Sequence, residues 1–199
     1  MTARARLLAL ALAASLAGCT TPAYVSPVEV TRFVGEQPAV LGSGPIAVQA
    51  APGVATDSWE YAAFENAVAQ ELTELGYTVT GDMAQQVAEI GVHRVIAQSG
   101  GGRSPVNVGV GGSTGSYGSG VGMGIGINLG GNRPAERIDT ELRVVIKPSG
   151  GVNALWEGRA RFSATANSDF ADQRAAAGKL ADALFDGFPG RSGETIEVR

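Results

Sequence analysis

The period of the apolar positions changes along the chain, and those changes predict its elements. Within residues 28–34 apolar and polar positions alternate for several residues and predict a first strand, followed by a loop over 35–45 that carries Pro38, Gly42, Gly44 and Pro45. Ile46-Ala47-Val48 predicts a short second strand, ended by Pro52-Gly53. The period then lengthens. Tyr61, Phe64, Val68, Leu72 and Leu75 fall on one helical stripe, with Asp57 and Glu60 spaced as a capping box and Gly76 where a left-handed C-terminal cap belongs. Residues 77–80 predict a strand leaving that helix, and 82–87 a polar connection. In 88–97 the period is two again, with Ala88, Ile90, Val92 and Ile96 on one face and Glu89 and His93 on the other.

The last third predicts a hairpin and a helix. Ile138, Thr140, Leu142, Val144 and Ile146 share one face, against Asp139, Glu141, Arg143 and Lys147 on the other. Pro148-Ser149-Gly150-Gly151 is the turn. The return strand is expected to align Val152, Ala154, Trp156, Ala160 and Phe162, with Glu157, Arg159 and Arg161 opposite and available for cross-strand ion pairs. Ser168 or Asp169 is expected to cap a helix whose stripe is Ala177, Leu180, Ala181, Leu184 and Phe188. Residues 191–199 read as a loose tail. The sum is one α+β domain over residues 28–190, a mostly antiparallel sheet with two main helices packed on it and a glycine-rich hairpin inserted in it.

That insertion is a composition shift: 14 of the 32 residues in 100–131 are glycine, far too many for a helix, where each costs about 1 kcal/mol relative to alanine. Val106, Val108 and Val110 alternate within it. Val121, Met123, Ile125, Ile127 and Leu129 alternate with Gly120, Gly122, Gly124, Gly126 and Asn128. The pattern predicts two strands joined around 113–119, one face aliphatic and the other nearly bare. No Gly-x-Gly-x-x-Gly spacing occurs here, so a dinucleotide fingerprint is excluded. Gly118, Gly122, Gly126 and Gly130 make a Gly-xxx-Gly series, but the apolar period of two argues against a packing helix. Exposed at a sheet edge, Gly120, Gly122, Gly124 and Gly126 would form an interaction surface for another chain. Glycine that simply lets the sheet bend is the competing explanation.

At the N-terminus, Arg4 and Arg6 precede the apolar run Leu7-Leu8-Ala9-Leu10-Ala11-Leu12-Ala13-Ala14, too short to span a bilayer as a helix. The run ends in Leu16-Ala17-Gly18-Cys19, which resembles a bacterial lipobox. Residues 1–18 are thus expected to be a lipoprotein signal peptide, 19–27 a lipidated tether, and Cys19 the acylated first residue. Cys19 is the only cysteine, with no partner for an intrachain disulfide. The resemblance implies three acyl chains on Cys19. With Thr20 rather than Asp next, it further implies the outer membrane, most simply its periplasmic face. A single chain alone binds only marginally.

Charge and chemistry narrow the function classes. Without residues 1–18 the chain keeps 13 Lys+Arg against 19 Asp+Glu, a net charge of −6, and nothing suggests the basic stripe of a nucleic-acid binder. His93 is the sole histidine and reads as an exposed strand residue. It has neither the Cys or His companions of a metal site nor a nucleophile motif nearby. The acidic pairs Glu71/Glu74 and Asp139/Glu141 read as surface charge. No catalytic residue, cofactor or metal is expected.

From about residue 28 to 189 the chain resembles the envelope-lipoprotein family called domain of unknown function 4136. The likeness is carried by Ala88-Glu89-Ile90-Gly91-Val92, Thr140-Glu141-Leu142-Arg143-Val144-Val145-Ile146, Leu155-Trp156-Glu157-Gly158-Arg159-Ala160 and Leu184-Phe185-Asp186-Gly187-Phe188-Pro189. The resemblance implies an envelope location and an α+β fold, and brings no activity or functional residues. The expected function is a non-catalytic lipoprotein, its membrane contact through Cys19 and its partner an envelope protein, acting in envelope assembly or maintenance. A periplasmic binding module for a lipid or small apolar molecule is the alternative, and an enzyme a distant third.

Overall fold

A computed structural model describes residues 22–54, 56, 59–97, 106–113, 120–127 and 136–199. A seven-stranded sheet carries the architecture, in the order β3-β2-β4-β7-β8-β1-β9. Its strands are β1 (Val28–Val34), β2 (Gly44–Ala50), β3 (Tyr77–Val79), β4 (Gln86–Ala97), β7 (Arg137–Pro148), β8 (Trp156–Thr165) and β9 (Thr195–Val198). The β3-β2-β4 pairings are parallel and the rest antiparallel. Strands β5 (Val106–Ser113) and β6 (Gly120–Ile127) form a separate two-stranded sheet. Helices α1 (Trp59–Glu74) and α2 (Gln173–Phe185) pack together on one face of the large sheet. The α+β class with two helices on a mostly antiparallel sheet is therefore the observed one.

Period-two strands and period-3.6 helices meet in one core. β7 buries Ile138, Thr140, Leu142, Val144 and Ile146, and β8 buries Trp156, Gly158, Ala160, Phe162 and Ala164. Against them lie Tyr61, Phe64, Val68 and Leu72 of α1 and Ala176, Ala177, Leu180, Ala181 and Leu184 of α2. The alanines bring α2 close enough for Trp156 to stack on Phe185 at 5.5 Å and donate its indole N–H to the Pro189 carbonyl at 2.9 Å. Close packing also explains Gly158: a Cβ there would stand 2.2 Å from the Trp156 ring and 2.8 Å from Leu184. Gly76 ends α1 at φ +103°, as its cap position requires.

Several boundaries differ from the expected ones. Residues 195–198 are not loose: they pair with β1 from Val28↔Val198 to Thr31↔Thr195 and make the sheet's last strand. Val152 and Ala154 lie outside β8 and are exposed, while Leu155 is buried and Trp156 opens the strand. The register pairs Ile146 with Trp156, so the loop consumes the residues between. Asp172, not Ser168 or Asp169, caps α2, its carboxylate accepting from the N–H groups of Arg174 (2.9 Å) and Ala175 (3.1 Å). Residues Asp169–Ala171 form their own 3-10 turn, held by the edge-on contact of Phe170 with Phe162. β4 begins at Gln86, whose buried amide donates to the Val40 and Ser43 carbonyls, so the supposed polar connection ends sooner. The cap at Asp57 lies outside the described residues.

Candidate functional site

The large sheet has a second face, and among the described residues no helix covers it. On that face the register aligns polar positions in rows across the strands: His93, Glu141, Arg161, Glu29 and Glu197 make one, and Gly91, Arg143, Arg159, Thr31 and Thr195 the next. The ion pairs of the described residues all lie here. Arg161 reaches Glu29 at 2.7 Å, Arg143 reaches Glu157 at 2.8 Å, Lys147 reaches Glu89 at 2.6 Å, and Arg159 bridges Glu141 and Glu157 at 3.5 and 3.7 Å. The Arg143 hydrogen bond holds the Glu157 carboxyl below its ordinary range against the opposing effect of burial. The Arg161 guanidinium is raised in turn by its bond to Glu29. Each exposed pair contributes only about 0–1 kcal/mol. Together they fix a network of interleaved acidic and basic side chains.

A depression of about 670 Å³ opens at one end of this face. Glu29, His93, Arg137, Asp139, Glu141, Arg161, Ser163 and Glu197 line it, with Tyr24 and Ser26 on its rim. The last two come from the stretch expected to be tether, and within it residues 24–26 are bonded to β8 rather than loose. Val25 bridges Ala164, the Thr165 N–H donates to the Tyr24 carbonyl at 2.9 Å, and the Ser26 N–H donates to Ser163 at 2.8 Å. The Arg137 guanidinium lies 6.0 Å from the Tyr24 ring centre and 3.3 Å from Asp139. The Ser163 hydroxyl donates to Asp139 rather than to a histidine, so serine, carboxylate and imidazole do not form a relay. The arrangement is suited to meeting a polar or charged surface. Among the described residues no group of three or more His, Cys, Asp or Glu is placed to hold a metal ion.

His93 is an exposed strand residue, opposite Glu141. Glu71 on α1 is raised above the ordinary carboxylate range by burial first and then by Glu74 and Asp182. Cys19 lies outside the described residues. Gly120, Gly122, Gly124 and Gly126 stand in β6 opposite Ser113, Gly111, Gly109 and Asn107, so the sparsely covered positions continue across both strands. Arg32 was not singled out by its sequence. Buried on the core side of β1, it donates to the Leu184 and Ala183 carbonyls at 3.0 Å each and to that of Asp186 at 2.7 Å, closing the C-terminus of α2. Its place beside Val28 and Val30 in the alternation was the available signal.

No protein-family model matches the chain. Over 69 residues it is 36% identical to the uncharacterized protein ZMO1243 of Zymomonas mobilis subsp. mobilis, a match covering 35% of this chain and 26% of that protein. Its fold is similar to that of a PDZ domain protein from Parabacteroides distasonis, with a TM-score of 0.50 at 13% identity, over 97% of this chain and 42% of that one. This chain thus spans less than half of either protein. The PelC dodecamer from Paraburkholderia phytofirmans matches with a TM-score of 0.47 at 11% identity, over 82% of this chain and 99% of that one. At such identities the likeness concerns the fold alone.

Proposed function

We propose that this chain is a non-catalytic lipoprotein of the outer membrane, facing the periplasm, that serves envelope assembly or maintenance through protein contacts made by its open sheet face. The observation that carries this reading is the pinning of Tyr24 to β8. Only four residues separate Cys19 from Tyr24, a reach of about 18 Å at full extension. An acyl chain on Cys19 would hold the domain against the bilayer, and its charged face would then work beside the membrane. The resemblance to domain of unknown function 4136 supports the same location. Protein contact is favoured over an apolar ligand because the layer between helices and sheet is filled by Phe64, Leu72, Trp156, Leu180 and Leu184, while in the depression charged and polar side chains outnumber the apolar Pro27, Val95 and Phe162.

Fractionation of envelopes with Cys19→Ala tests the anchor. The variant should lose its acyl mass and stay uncut or be cut aberrantly. A normally acylated, membrane-bound variant would overturn the reading. For the contact face, photo-crosslinkers at Thr31 and Phe33 should give one discrete adduct in intact envelopes, and one at Asn66 on α1 should give none. Equal adducts from both faces would count against the open sheet.

A further inference from the structure

The glycine-rich hairpin stands apart from the charged domain in composition. No charged residue occurs from Ser104 to Asn132, a run of 29 in a chain that is 17% charged. The register pairs Val106 with Ile127, Val108 with Ile125 and Val110 with Met123. Between these rungs it pairs Asn107 with Gly126, Gly109 with Gly124 and Gly111 with Gly122. One face of the ribbon therefore carries aliphatic and methionine positions, with Gly112 opposite Val121 its one gap, and the other only glycine, asparagine and serine. Strands cross a membrane by a different pattern from helices: about ten residues, alternately apolar and small or polar. Eight paired residues per strand run about 27 Å, which at a barrel tilt of about 40° crosses about 20 Å, most of the apolar band of about 25 Å on a membrane barrel. Arg103 and Arg133 flank the uncharged run in sequence, and Tyr117 is its one aromatic.

The hairpin's place in the chain supports the same assignment. Its roots, Ala97 and Arg137, are paired with each other at the end of β4 and β7. Arg137 also pairs with Thr165, which is bonded to Tyr24. The insertion thus leaves the sheet at the end where Tyr24 is bonded to β8.

We propose that β5 and β6 are membrane-spanning strands and that several copies of this chain close theirs into one β-barrel. Its aliphatic face meets lipid and its glycine face lines an aqueous lumen. Closure is required by the backbone. β5 and β6 pair only with each other among the described residues, and an open strand edge in hydrocarbon leaves donors and acceptors unmet. The choice of bilayer rests on the anchoring proposed for Cys19, and the barrel pattern does not.

The test uses the full chain, purified with its acyl chains and reconstituted in phosphatidylethanolamine–phosphatidylglycerol vesicles. Met123→Cys, Ile125→Cys, Gly122→Cys and Gly124→Cys variants each carry an environment-sensitive dye, and nitroxide-labelled lipid tails are the quencher. Quenching should be several-fold stronger at 123 and 125 than at 122 and 124, and crosslinking should end at one closed oligomer. Gly124→Lys should keep the quenching at 123, and Ile125→Lys should abolish it. Dyes left in water at all four positions, dyes shielded but unquenched as in pairing with another protein, or quenching in a monomer would each overturn the proposal. The mass of the Cys19 peptide separates the two readings. Acylated Cys19 with dyes in water sinks the barrel alone, and alternating quenching without acylation sinks the anchor alone.

Discussion

Arg32 occupies a position that the alternation of β1 assigns to the core, and it answers that demand with geometry rather than apolarity. The planar guanidinium serves the Ala183, Leu184 and Asp186 carbonyls at the end of α2, where the helix dipole also favours a cation. Burial lowers its proton affinity, and Asp186 and Glu194 oppose that effect. Gly190 is shaped by it: a Cβ there would stand 2.7 Å from the Arg32 side chain, and φ is +77°. Arg32→Met should destabilise the domain by about 2–3 kcal/mol through the loss of charge-assisted bonds to buried carbonyls. Arg32→Lys should recover only part of it, since an ammonium cannot serve all three in one plane. Urea melts measure both. A loss under 0.5 kcal/mol for Arg32→Met would show that water replaces the guanidinium at no cost.

Among the elements, β9 changes the reading of the molecule most. It covers the outer edge of β1, and the hydroxyls of Thr31 and Thr195 meet at 2.8 Å. Ile196 and Val198 pack against the core from the sheet margin. Ending the chain after Glu194 should cost about 1–3 kcal/mol, the worth of two half-buried aliphatic side chains and their rungs. An unchanged melt would return β9 to the status of an ornament. Its four residues alternate, but so short a run between a glycine turn and the terminus is indistinguishable from a tail by pattern alone. Longer elements were legible. The α1 stripe, the two faces of β7 and the core position of Trp156 follow directly from their periods, because burial on one side imposes those periods. The pinned segment Tyr24–Ser26 was not legible, since most of its bonds to β8 use backbone groups that leave no mark on side-chain type. The depression was hidden for another reason. Its walls come from β1, β4, β7, β8 and β9, and that register joins residues more than a hundred positions apart.

At the scale of the whole molecule, one end of the sheet gathers several features. Tyr24, Ala97, Arg137 and Thr165 mark that end, and the Pro148–Gly151 turn marks the other. Twelve residues of β7 separate the ends by about 35 Å. The central claim is that the first end faces the membrane, and energy transfer measures it most directly. Ala166→Cys at the near end and Ser149→Cys at the far end are labelled singly in the acylated, vesicle-bound protein. The acceptor dye resides in the lipid headgroups. Transfer should be strong from 166 and weak from 149; equal transfer from both, or stronger transfer from 149, would contradict the orientation from which the anchored reading is built.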